Sequence, residues 1–220
     1  MALKRSIKEP TAAIFQSWEY LNIAVDAHIS GDFQRAATYF EKSNIPEVWE
    51  WVNPCWTQPQ NNIINNYPDH KLIISKEFRD PDRNISKSVR SAVLFRDGYK
   101  CRYCGIPVVS ADIRKIAHKL YPASVPWHHH AVLQQHAGFQ CFWLQFDHVD
   151  PHSHGGLSSP DNVVLSCAVC NFGKDKYTLR QLGLADPRLR SPIPVEWDGL
   201  ERLRPKAAIT SIVDCPSPTP

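Results

Sequence analysis

The sequence predicts an α+β chain, with helices filling its first quarter and a small unit of two short strands and a helix in its second half. Three observations lead there. Apolar residues between Thr11 and Val52 recur at helical spacing. Two short apolar runs, one ending at Asp147-His148 and one at Ser166, are bounded by Asp, Pro, Ser and Gly, as strands are. Two Cys-x-x-Cys pairs, Cys101/Cys104 and Cys167/Cys170, lie on either side of the first run.

Composition bounds the rest. Of 220 residues, 43% are hydrophobic and 21% charged, enough to bury a core and too apolar for a disordered chain. No run of about 18 apolar residues exists, so no transmembrane helix and no membrane partner is expected. The opening Met1-Ala-Leu-Lys-Arg5 is not followed by a secretory signal pattern, and a cytoplasmic location is the expectation. Seven cysteines, an odd number, argue against a disulfide framework in such a compartment. The net charge of +3 names no partner by itself. Between Ser86 and Arg180, however, eleven Lys/Arg face six Asp/Glu, and that local excess suits a phosphate-binding surface.

In chain order, Ile14, Phe15, Trp18, Leu21, Ala24 and Val25 mark a helix from Thr11 to about Ile29. Ser30-Gly31-Asp32 breaks it, and Asp32 is placed to cap a second helix to about Lys42. Pro46 opens a third carrying Val48, Trp49 and Val52. Residues 1–56 thus form a helical accessory domain, suited to docking a protein partner. Residues 57–85, rich in Asn, Pro and Asp, are read as a linker with a strand-like run, Lys71-Leu-Ile-Ile74. Ser86 caps a helix to Asp97-Gly98, with Cys101 just beyond. Ser110 to Leu120 reads as a helix, the run from Phe139 that ends in Asp147 and His148 as the first strand, and Asp161 to Ser166 as the second. A helix follows Cys170 through about Leu179. The segment 184–220 is a proline-punctuated extension, frayed beyond Ile193.

Sixty-two residues lie between Cys104 and Cys167. Two-residue spacing lets both thiolates of a pair reach one ion, and two pairs complete a tetrahedral four-cysteine zinc site. One pair on a turn before Gly105 and another opening a helix suggest a treble-clef-like arrangement. A closed tetrathiolate site has no open coordination position, so this zinc would be structural.

The ordered set Cys-x-x-Cys, Asp-His-x-x-Pro-x-Ser-x-Gly-Gly and Asp-Asn-x-x-Leu-x-Cys-x-x-Cys-Asn-x-x-Lys resembles the HNH endonuclease family. Here it comprises Cys101 and Cys104; Asp147, His148, Pro151, Ser153, Gly155 and Gly156; and Asp161, Asn162, Leu165, Cys167, Cys170, Asn171 and Lys174. The resemblance covers about Ser86 to Leu179 and implies a ββα-metal fold, which sets the nuclease domain at 86–183 with a long insertion over 105–142. It implies His148 as general base, Asp147 and Asn171 as ligands of a catalytic Mg²⁺ or Mn²⁺, and Asn162 as the residue orienting His148. It further implies cleavage of DNA leaving 5′-phosphate and 3′-hydroxyl ends. The residue chemistry agrees: an imidazole titrating near neutrality suits a base, and two oxygen ligands suit a cation that keeps its waters. Lys174, one turn beyond Asn171, would face phosphate.

The bland readings are a surface Asp-His pair and asparagines that cap turns. His128-His129-His130 reads as surface, while His152 and His154, beside the base, are candidates for touching phosphate or metal. The rival function is a non-catalytic zinc module that binds nucleic acid or protein. A zinc-dependent nucleobase deaminase is set aside, because no His-x-Glu element precedes a Pro-Cys-x-x-Cys.

Overall fold

The structure, a computed structural model, describes residues 3–54, 74–192 and 196–205. Helices α1 (Ala12–Ile29), α2 (Phe33–Lys42) and α3 (Pro46–Val52) form where the apolar spacing places them. The Asp32 carboxylate accepts the Arg35 N–H at 3.0 Å and so satisfies a free donor of the first turn of α2. Helix α4 (Lys87–Asp97) starts on the Ser86 hydroxyl and ends at Gly98, which takes the left-handed conformation at φ 64°. Helix α5 (Ala111–Leu120) is capped in the same way by Ser110.

Two expectations fail locally. Phe139 to Cys141 belong to a short helix, α6 (Ala137–Cys141), and the strand β1 is Leu144–His148. All five residues of α6 are buried, so hydrophobic periodicity could not tell helix from strand there. Its entry is set by His136, whose Nδ1 accepts the Phe139 N–H. Gly138 lets it approach α1: a Cβ there would lie 2.7 Å from Ser17 Oγ and 3.1 Å from the Ser43 carbonyl. The second failure is at the C-terminal helix. Helix α7 (Ala168–Lys174) stops where Asp175 turns left-handed at φ 48°, and Thr178 opens a separate helix, α8 (Leu179–Leu182), with a capping box to Gln181.

Strand β2 (Val163–Cys167) pairs antiparallel with β1, Leu144 opposite Cys167 and His148 opposite Val163. The register puts the end of β1 beside the start of β2, so the loop 149–162 closes over one end of the hairpin. Helix α7 follows β2 without a break and packs on both strands. This is a mixed helix and two-strand arrangement in which strand, loop, strand and helix are contiguous.

The N-terminal helices share their core with the 105–142 insertion. Phe40 of α2 stacks on Phe139 of α6 with ring centroids 6.4 Å apart. His136, fully buried, hydrogen-bonds the Phe40 carbonyl (2.9 Å) and lies 3.2 Å from Ser43 Oγ. The buried cluster continues through Ile106, Ile113 and Leu165 to Leu200 and Leu203. The extension therefore departs from the expected fraying over 196–205: Trp197 is buried, donates its Nε1–H to the Val108 carbonyl (3.2 Å) and meets Trp18 edge-on at 5.6 Å. Burying a large apolar side chain is worth about 1.5–3 kcal/mol, which holds this segment down despite its prolines.

The expected strand at Lys71–Ile74 lies outside the described residues except for Ile74, as do Cys55 and Cys215. From Ile74 the chain runs along the loop after β1, the Ile74 N–H donating to the Ser153 carbonyl at 2.9 Å. Among the described residues no helix is long and apolar enough to cross a membrane.

Candidate active site

The two cysteine pairs converge. The four sulfurs of Cys101, Cys104, Cys167 and Cys170 lie within 4.8 Å of one another, with Cys104 and Cys167 at 3.7 Å. Four thiolates at 2.3 Å from one zinc ion stand about 3.8 Å apart, so this donor set fits a tetrahedral ion. Local folding explains the convergence. Gly105, at φ 83°, closes the first knuckle by donating its N–H to the Cys101 carbonyl (2.9 Å), while Cys167 caps α7 and its sulfur accepts the Cys170 N–H (3.5 Å). The Arg102 N–H donates to the Leu165 carbonyl at 2.8 Å, fastening the knuckle to β2. Asp97, buried at the end of α4, accepts the Leu165 N–H (2.9 Å) and two Arg96 donors (2.7 and 2.9 Å). Burial opposes ionisation of Cys101, but hydrogen bonds from the three neighbouring thiols outweigh it and hold Cys101 well below an ordinary thiol.

Asp147 and His148 end β1. Asp147 turns inward and is only 5% exposed. Its Oδ2 accepts the Tyr103 hydroxyl at 2.6 Å and its Oδ1 accepts the Lys174 ammonium at 3.2 Å. Burial raises the Asp147 pKa, and Lys174 and Tyr103 oppose the rise. Burial and the nearby Asp147 keep Tyr103 a phenol, hence a donor.

Lys174 does not sit as the sequence suggested. It is 1% exposed, and its ammonium also donates to the His148 carbonyl at 2.7 Å. The helix register places it one turn beyond Asn171, and its ammonium pairs with the buried Asp147 carboxylate.

His148 is half-buried, and its Nε2 lies 2.9 Å from Ser158 Oγ. Burial, helped by His152, Lys174 and Arg83, pushes its pKa down to about 4, so the ring is neutral near pH 7. Asn162, expected to orient His148, grips the loop backbone. Its Oδ1 accepts the Asp150 N–H (2.9 Å) and its Nδ2 donates to the Asp150 and Leu157 carbonyls (both 3.0 Å). Gly156 is required there, because a Cβ would fall 1.7 Å from the Asp150 carbonyl oxygen.

Asp147, His148 and Asn171 all line one groove of ≈ 840 Å³. Part of its lining was not anticipated: Lys76, Arg79 and Arg83, from the segment read as a linker, line it together with Phe172 and Lys176. The sequence placed its Lys/Arg excess between Ser86 and Arg180, and nothing in it indicated that the 76–83 segment folds back onto the loop after β1. Tyr103 and Ser158 were missed for the same reason. His152 also lines the groove, with its Nε2 2.8 Å from the Asp80 carbonyl and its ring 6.3 Å from that of His148. His128, His129 and His130 are exposed, as expected.

The chemistry of the donor set here suits a hard cation. An ionised carboxylate offers about four lone-pair sites, of which Tyr103 and Lys174 take two, and the Asn171 carboxamide lines the same cavity. Two such oxygens fit a hard ion that keeps several waters.

Comparison with known proteins adds one finding. Residues 141–176 match the family model described as HNH endonuclease, which bears out the resemblance over β1, the loop, β2 and α7. That match supports a nuclease or other nucleic-acid-related role. No curated protein and no solved structure matches the chain.

Proposed function

We propose that this protein is a divalent-metal-dependent endonuclease that hydrolyses phosphodiester bonds in DNA, with the cysteine cluster holding a structural zinc in a treble-clef-like ββα unit. One observation carries the reading: a neutral imidazole, a carboxylate and a carboxamide open on a single groove whose walls carry Lys76, Arg79, Arg83 and Lys176.

In this reading His148 accepts a proton from water, and the resulting hydroxide attacks phosphorus. Asp147 and Asn171 would hold Mg²⁺ or Mn²⁺, which would stabilise the charge that develops on the phosphate oxygens. Lys174 opposes the effect of burial on the Asp147 carboxylate and, through the His148 carbonyl, fixes the end of β1. Asn162 holds the loop in the shape that presents His148. The cationic wall gathers the phosphate backbone.

A non-catalytic zinc module is the second reading, and one observation favours it: each oxygen of Asp147 already has an internal partner. Incubating the purified protein with supercoiled plasmid in Mg²⁺, in Mn²⁺ or in chelator separates the two. Metal-dependent nicking is expected. Salt-sensitive binding to DNA without nicking would overturn the proposal in favour of the second reading.

A further inference from the structure

Ser158 stands between the candidate base and a part of the chain outside the matched family segment. Its Oγ lies 2.9 Å from His148 Nε2, 3.1 Å from the Asp82 carbonyl and 3.2 Å from the Arg83 carbonyl. Carbonyl oxygens only accept, so the single hydroxyl proton of Ser158 is directed at them. The hydroxyl oxygen is then left to accept, and the imidazole nitrogen facing it must donate. A neutral imidazole carries one N–H, so the other nitrogen, Nδ1, keeps the lone pair.

We infer that Ser158, anchored on the backbone of Asp82 and Arg83, is a positioning residue that holds His148 as its Nε2–H tautomer and reserves Nδ1 to take the proton from water. This deepens the hydrolytic reading above and rests on it. The step balances: an O–H bond of water breaks as Nδ1–H forms, the oxygen's electron pair makes the new P–O bond, and the departing 3′ oxygen takes a proton from solvent water.

The upstream segment repeats the device at the neighbouring ring. His152 Nε2 lies 2.8 Å from the Asp80 carbonyl, which likewise can only accept. Three backbone carbonyls between Asp80 and Arg83 thus bear on two imidazoles in one groove, one directly and two through Ser158. The Ile74 N–H bond to Ser153 ties the same stretch to the loop. Residues 74–83 are on this account part of the site and not a spacer before it.

The test uses the full zinc-loaded chain, ¹⁵N-labelled at histidine. Long-range ¹H–¹⁵N spectra report the tautomer at fixed pH, with His148 assigned from the cross-peaks lost in His148→Asn. The wild type is expected to show a protonated Nε2 and an unprotonated Nδ1, and Ser158→Ala a mixture of tautomers. In plasmid nicking, Ser158→Ala should lower kcat by about 10- to 100-fold, part of what a positioned base supplies, with KM within about twofold. Ser158→Thr, which keeps the hydroxyl, should restore both the spectrum and kcat, as loss of folding would not. A wild-type Nδ1–H tautomer would overturn the inference. So would a Ser158→Ala protein whose tautomer or kcat is unchanged. A wild type that shows the Nε2–H tautomer yet nicks nothing would instead overturn the hydrolytic reading and leave the tautomer assignment standing.

Discussion

Replacing Lys174 by Met tests how the carboxylate of the site is kept charged. The Lys174 ammonium and Asp147 Oδ1 are 3.2 Å apart, with side chains 1% and 7% exposed. At an effective dielectric of about 20, two unit charges at that distance attract by about 5 kcal/mol. Methionine has a similar stem and fills the same space, so little cavity cost is added. What remains is a buried carboxylate that has lost its cation and a His148 carbonyl that has lost a donor. Removing one partner of a buried pair typically costs about 3–5 kcal/mol. The expected result in urea denaturation, with zinc content held constant, is destabilisation in that range at pH 7.5. The Asp147 pKa should rise further, since the charge that opposed desolvation is gone. Combining Lys174→Met with Asp147→Asn should recover part of the loss, because the amide leaves no uncompensated charge beside Tyr103. A cost below about 1 kcal/mol, or a double variant no better than the single, would refute the reasoning.

Four further outcomes follow from the same geometry. His148→Ala should abolish plasmid nicking while zinc content and thermal unfolding stay near wild type, measured by gel assay, metal analysis and calorimetry. Cys104→Ser or Cys167→Ser, or a strong chelator, should unfold the finger, because zinc binding worth about 10–16 kcal/mol exceeds the margin of an ordinary domain; circular dichroism and bound zinc read this. His136 is fully buried and its pKa is pushed down to about 4, first by desolvation, from an ordinary 6.5. Between those values the unfolded chain binds more protons, so stability is intact above pH 6.5 and falls with pH, by about 2 kcal/mol at pH 5; denaturation across pH against His136→Gln, which removes the titration, checks it. Lys76→Ala and Lys176→Ala should each weaken DNA binding evenly across sequences and reduce the log–log salt slope by about 1, read by anisotropy titrations.

Much of the chain could be read locally. Asp32 and Ser86 cap the helices that they were expected to cap, because a cap is a bond between a side chain and a backbone three residues on. The cysteine pairs were legible for a similar reason: two residues is the spacing at which one turn brings two sulfurs to one ion. The stretch Phe139–Cys141 was not legible, since a fully buried helix has no polar face to give its period. Lys174 shows the limit at the site. Its position in sequence puts it one turn past Asn171, but which way a long cationic stem runs depends on whether a buried carboxylate lies within reach, and Asp147 is twenty-seven residues away.

The sequence by itself determined the short-range elements: the helices and their caps, the two sulfur knuckles, and the adjacency of Asp147 to His148. Only the tertiary structure decided which partners those groups meet. It set Tyr103 and Lys174 on Asp147, Ser158 and the Asp82–Arg83 backbone behind His148, and the cations of 76–83 along the groove. The physical reason is one of range: caps and knuckles close within a turn of chain, whereas desolvation, ion pairing and tautomer choice depend on groups that folding brings from tens of residues away.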